Sequence, residues 1–189
     1  MEIKSSKFVM GIKGSDRILT NGIPQVAFIG RSNVGKSSVI NSLVKKNDLV
    51  KTGKKPGKTT EINFFLVNNK IYFVDLPGYG FAQGGKEKMD KIRGMIIWYL
   101  TESGTKPATV VLIIDIKAGL TQFDKDMLDI LREQNINYII VANKSDKLNQ
   151  KEASKQLEQI KYAANEDGII LYSATNKVRP NLILDRISL

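Results

Sequence analysis

Cysteine and histidine are both missing from this 189-residue sequence. Without cysteine there is no disulfide, and zinc sites built on four cysteines, or on two cysteines and two histidines, are excluded. Without histidine the commonest general base is gone, together with every Ser-His or Cys-His nucleophile arrangement. Any chemistry must run on carboxylates, backbone amides, Lys and Arg, and bound ions. Long hydrophobic runs are also missing. Val110–Ile114 is among the longest, against the roughly 20 apolar residues that a membrane-spanning helix needs. The N-terminal stretch MEIKSSKFVMGIKGSDR is basic and has no sustained apolar core, so neither a signal peptide nor a membrane partner is expected, and the reading is a cytoplasmic monomer. Acidic residues are the minority, 19 against 29 Lys and Arg, for a net charge of +10. That excess serves solubility or an anionic partner such as RNA. Hydrophobic residues make up 42% and charged residues 25%, the ordinary mix of a globular domain.

What is present alternates between strand and helix signals. Val26–Ile29, Ile62–Val67, Lys70–Asp75, Thr109–Asp115, Tyr138–Ala142 and Ile169–Tyr172 read as strands. Asn68-Asn69 between the second and third reads as a hairpin turn. Helices are expected over Ser37–Val44, Lys86–Leu100, Gln122–Gln134, Lys151–Ala164 and Leu182–Ile187. Strands separated by helices imply βαβ units. The expected fold is therefore α/β: a single domain with a mostly parallel six-stranded sheet, one antiparallel strand and helices on both faces. Residues 1–22 are expected to form an extension packing on a domain of residues 23–189. Ligands of such sheets sit outside the carboxyl ends of the strands.

Four motifs fall at such ends. Gly30-Arg31-Ser32-Asn33-Val34-Gly35-Lys36-Ser37 matches G-x-x-x-x-G-K-[ST] between a strand and a helix. The motif wraps a phosphate with backbone N–H groups. Lys36 should reach the β- and γ-phosphates, and Ser37 should place its hydroxyl on Mg²⁺. Asp75-Leu76-Pro77-Gly78 closes the third strand. Asp75 would hold magnesium directly or through water, and Gly78 would offer its N–H to a γ-phosphate. Asn143-Lys144-Ser145-Asp146 follows the fifth strand. The Asp146 carboxylate can accept from guanine N1–H and the exocyclic amine together, a donor pair that adenine lacks. Asn143 can touch the base and tie this loop to the phosphate loop, while the Lys144 stem covers a ring face. Ser173-Ala174-Thr175 follows the last strand, with residues small enough for backbone amides to approach guanine O6. Between the first two motifs, residues 51–60 are rich in Gly, Pro and Lys. Thr59 or Thr60 in this loop could ligate magnesium when a γ-phosphate is present.

These residues resemble the translation-factor-related small GTPases, and more closely the EngB/YihA-type ribosome-assembly GTPases. The specific matches are Pro24 to Ser38, Lys55 to Phe65, Asp75-Leu-Pro-Gly-Tyr-Gly-Phe-Ala82, Asp115 through Asp124 and Asn143 to Asp146, in that order. The resemblance covers roughly residues 5 to 175. It implies hydrolysis of GTP to GDP and phosphate, Mg²⁺, a bacterial-type cytoplasm and a role in large ribosomal subunit assembly, with a link to the cell cycle and septation. It places the switch threonine at Thr59. The site it implies adds Gly57, Lys58, Thr60 and Glu61 from the loop and Tyr172 beside Ser173 and Ala174. Position 60 is Thr where that family usually has Gln, and Asn176–Asn181 lacks a Gly expected there.

The Gln that orients water in Ras-like enzymes is replaced by Tyr79. Slow intrinsic hydrolysis is therefore expected, with help from a partner or from K⁺ held near Asn33; Arg31 is the second choice. The catalytic assignment is thus Lys36, Thr59, Gly78 and Asn33. Lys45, Lys46, Lys51, Lys54, Lys55 and Lys58 crowd one stretch, where the phosphates of rRNA or of the large subunit would be attracted. Two other readings remain at this point: a GTP-gated binding module with negligible hydrolysis, and a P-loop kinase or ATPase. Asn143 and Asp146 argue against the second.

Overall fold

A computed structural model describes residues 1–51, 61–80, 85–176 and 180–187. Seven strands form one sheet: β1 (Ser6–Ile12), β2 (Gln25–Gly30), β3 (Ile62–Val67), β4 (Ile71–Asp75), β5 (Thr109–Asp115), β6 (Tyr138–Asn143) and β7 (Ile170–Leu171). Their spatial order is β1-β3-β4-β2-β5-β6-β7. β3 runs antiparallel to both of its neighbours, β1 and β4. The remaining neighbours pair in parallel.

The sheet has one strand more than the sequence suggests, because Ser6–Ile12 joins its edge. The reason it escapes a pattern search is physical. Three successive residues, Lys7, Phe8 and Val9, are exposed, and the register against β3 shifts between Phe8 and Met10. A bulged edge strand loses the period-two signature that marks a strand buried on one face. The hairpin between β3 and β4 turns at Asn68 and Asn69, with φ of 52° and 53°, the left-handed pair that a tight hairpin requires. Asn68 also clamps the N-terminus: its Oδ1 accepts from the N–H groups of Lys4 and Ser5, and its Nδ2 donates to the Glu2 carbonyl.

Alternate residues of the central strands feed two cores. Ala27 and Ile29 of β2 and Val110, Leu112 and Ile114 of β5 lie on one face. That face packs α2 (Gly85–Thr101), α3 (Gln122–Glu133) and α4 (Gln150–Ala164). Val26, Phe28, Val111 and Ile113 lie on the other, under α1 (Lys36–Leu43) and the short α5 (Asn181–Leu184). No helix among the described residues is long and apolar enough to cross a membrane. With both faces covered, the strand ends are left open to solvent, and there the motif loops meet.

Candidate functional site

The phosphate loop links β2 to α1. Gly35 sits at the helix N-cap with φ of 92°. A Cβ there would fall 2.4 Å from Asn143 Nδ2, so both the backbone and the neighbour demand glycine. Lys36, at the start of α1, is buried and its ammonium pairs with the buried carboxylate of Asp75 at the end of β4. This pair joins the first two motifs, and each charge compensates the other. The fit to a magnesium site is chemical. A buried carboxylate is already held against a cation, Ser37 follows Lys36 in the same helix turn, and among the described residues no preformed acidic cage competes for a metal. Mg²⁺ suits such a place, because it is bound by few protein oxygens together with the phosphates of its substrate.

The Asp75–Gly78 loop docks on the phosphate loop through Ser32. The Ser32 hydroxyl donates to the Gly78 carbonyl at 3.1 Å, and its N–H donates to the Tyr79 carbonyl at 2.7 Å. Arg31 and Tyr79 form an isolated parallel bridge. Leu76 is fully buried and its N–H donates to the Phe28 carbonyl, which fixes where the loop leaves the sheet. The Tyr79 side chain reaches helix α3. It is buried, and its hydroxyl donates to Asp124 Oδ1 at 3.0 Å. Burial, and then the Asp124 charge, hold its ionisation well above the ordinary value for tyrosine. Asp124 is itself buried, and its second oxygen accepts from the N–H and hydroxyl of Thr121. Sequence reasoning saw only that Tyr79 replaces a glutamine. It missed the partner, which lies 45 residues on.

The loop after β6 is built around Asn143, buried at the end of that strand. Its Nδ2 donates to the Val34 carbonyl at 2.9 Å, and its Oδ1 accepts from the Ala174 N–H at 3.2 Å. One side chain thus joins the phosphate loop, β6 and the loop after β7. Lys144, with φ of 67°, donates from Nζ to the Asn33 carbonyl at 2.6 Å and to Asp115 Oδ2 at 2.7 Å. In the sequence Asp115 opens one of the family matches but carries no role; the local signal for it is an acidic residue closing an apolar strand. Asp146 Oδ1 accepts from the Ser173 hydroxyl at 2.6 Å. The Ser145 N–H donates to the Tyr172 carbonyl. The Tyr172 side chain is buried and its hydroxyl meets Ser42 Oγ at 2.7 Å, so this residue faces the site through its backbone.

The phosphate loop, Asp75–Gly78, Asn143–Asp146 and the loop after β7 therefore converge at one end of the sheet. Gly57, Lys58, Thr59 and Thr60 lie outside the described residues. Glu61, which precedes β3, has its carboxylate 3.5 Å from Lys13 Nζ, at the end of β1.

Comparison with known proteins points to one family. The family model described as "50S ribosome-binding GTPase" (MMR_HSR1) matches residues 25–144. A "Probable GTP-binding protein EngB" of Thermoanaerobacter pseudethanolicus is 36% identical over 186 residues, which is 97% of this chain and 96% of that protein. The Bacillus subtilis protein of the same description is 36% identical over 94% of this chain and 92% of its own length. The chain belongs to the EngB family of GTP-binding proteins. A solved structure described as that of a probable GTP-binding protein engB superimposes with a TM-score of 0.72 at 28% identity, over 86% of this chain and 96% of that one. The fold and the phosphate loop are thus those of a P-loop GTPase.

Proposed function

We propose that this GTPase hydrolyses GTP to GDP and phosphate slowly on its own, and that bound GTP gates its docking on the large ribosomal subunit during assembly. The observation that carries the reading is the Asn143 bridge: base-reading loop, phosphate loop and the loop after β7 share one buried side chain. In this reading Asp146 accepts from the guanine N1–H and exocyclic amine. Its Ser173 bond holds the carboxylate in place for that contact. Lys144, braced by Asp115, lays its stem along the base. The Ala174 N–H, which Asn143 holds at 3.2 Å, is shared with guanine O6.

At the other end, Lys36 exchanges Asp75 for the phosphates. Asp75, Ser37 and Thr59 are the residues that would hold Mg²⁺. When bound, that ion neutralises the charge building on the phosphate oxygens. Gly78 offers its N–H to the γ-phosphate, and leaving Ser32 frees the loop to do so. Gly57, Lys58, Thr60 and Glu61 flank Thr59 in the switch segment. Tyr79, anchored on Asp124, cannot turn to orient water, which is the physical ground for slow turnover. Asn33 is exposed, with φ of 69°, and we assign to it a potassium ion that neutralises phosphate charge in the transition state. Equal turnover in potassium and sodium buffers would remove that assignment.

The large-subunit role draws on the printed description of the family model and on the net charge of +10. We take the protein to act as a cytoplasmic monomer. The test is co-sedimentation with ribosomal subunits, with GDP or a non-hydrolysable GTP analogue, across a salt series. Large-subunit binding that needs the analogue and survives moderate salt is expected. Salt-sensitive binding to both subunits, indifferent to the nucleotide, would sink the assembly role and leave a GTPase of another target.

A further inference from the structure

A second concave surface lies away from the nucleotide site, between the end of β1 and helix α2. It is shallow and largely open to solvent, with a volume of about 400 Å³. Lys13 and Gly14 form one wall, and Lys91, Gly94, Met95 and Trp98 form the other. The α2 residues recur at i, i+3, i+4 and i+7, so they share one face of the helix. Among the described residues, no acidic side chain lines the cleft. Both lysine side chains are largely exposed, and each has a surface pairing, Lys13 with Glu61 and Lys91 with Glu87. Such pairs are weak and yield readily to a better anion.

Gly94 is the informative residue. It sits inside a 17-residue helix, where glycine is unfavourable relative to alanine. Nothing in the described fold demands it: a Cβ there would meet no atom within 4 Å. Gly94 is exposed, so the space beside it is open to solvent. Gly14, opposite, likewise has nothing within 4 Å of its missing Cβ. A solvent-facing surface with an indole at its base, an ammonium on each side and no side chain on Gly14 or Gly94 to cover it has the chemistry of a stacking platform between phosphate contacts. We propose that this cleft takes one unstacked base of single-stranded RNA, with Lys13 and Lys91 on the flanking phosphates. An acidic peptide would use the two charges but has no flat ring for the platform. The inference rests on the ribosomal role proposed above for its setting. Lys13 also touches Glu61, directly after the switch segment, so occupancy of the cleft and the nucleotide state share a residue.

Trp98 is the only tryptophan in the chain, so tryptophan fluorescence reports on this one side chain. The experiment titrates the full-length protein with a 12-nucleotide oligouridine and, separately, with a polyglutamate peptide, at one ionic strength. Quenching by oligouridine and none by polyglutamate is expected. Gly94→Leu covers the platform while favouring the helix, so it should fold and keep wild-type GTP turnover. It should bind oligouridine at least about tenfold more weakly, the loss of one stacked base. Absence of quenching, equal affinity in Gly94→Leu, or equal quenching by polyglutamate would each overturn the proposal; the last would make the partner an acidic peptide. If the wild type still co-sediments with large subunits in those cases, the assembly reading stands without the cleft. If it does not, that reading falls on its own test.

Discussion

Asp146 keeps one carboxylate oxygen on the Ser173 hydroxyl at 2.6 Å, and its other lies 3.9 Å from Lys147 Nζ. The carboxylate is thus positioned but not neutralised by a close ion pair. Asp146→Asn replaces an acceptor with a donor and should weaken GTP binding by at least about a hundredfold while improving xanthosine triphosphate. Competition of the two nucleotides against a fluorescent GDP reads both effects, and unchanged GTP affinity would remove the basis for guanine selection. Tyr79 makes a different kind of prediction. Tyr79→Phe leaves Asp124 buried with one partner fewer, so stability should fall by about 1–3 kcal/mol in urea unfolding. Turnover should change by less than the tenfold that about 1.4 kcal/mol of transition-state contact would give. A larger fall in kcat, with unfolding unaffected, would mean that the hydroxyl does act on the reaction. Gly35→Ala meets both a φ of 92° and Asn143 Nδ2 at 2.4 Å. Nucleotide affinity should collapse, with about 1–3 kcal/mol lost from stability.

Helix α3 shows how an element far from the phosphate reaches it. Thr121 caps the helix in a capping box with Asp124, and the same Asp124 receives the Tyr79 hydroxyl. Thr121→Ala should cost about 1 kcal/mol from the cap alone. It should also raise amide exchange at Gly80, next to the anchored tyrosine, which Asn149→Ala at the comparable cap of α4 should not do. Equal exchange in the two variants would deny the link. The same element marks the limit of the sequence. The phosphate loop, Asp75–Gly78 and Asn143–Asp146 are each contiguous, so their spacing carries the chemistry and all three are legible. The Tyr79–Asp124 and Lys144–Asp115 contacts join residues tens of positions apart, and no local pattern encodes which polar residues meet. Strands β2 to β7 are legible as apolar runs bounded by turn residues. β1 is not, because an edge strand with a bulge and exposed Lys7, Phe8 and Val9 lacks alternation. Tyr172 is a site residue by expectation, and its ring serves the core against Ser42.

Across the whole molecule, the absence of histidine leaves no side chain whose ordinary pKa falls between pH 5 and 8. The tyrosines act at the alkaline end. Burial raises Tyr79, Tyr99 and Tyr172 above the ordinary 10.0. A group raised on folding contributes stability that is fully present below pH 10 and lost as pH climbs toward the folded pKa. Urea midpoints should therefore stay level from about pH 6 to 9 as far as tyrosine is concerned and drop above pH 10, with phenolate absorbance rising together with unfolding. Phenolate appearing well before unfolding would mean that the tyrosines are less enclosed than their packing implies. The Asn143 bridge has one more consequence, for timing. Because a single side chain ties Val34 to Ala174, the grips proposed for base and phosphate are fastened to each other and would slacken together. GDP should leave in a single kinetic step with no half-released intermediate, and whatever hastens its departure can do so from either end.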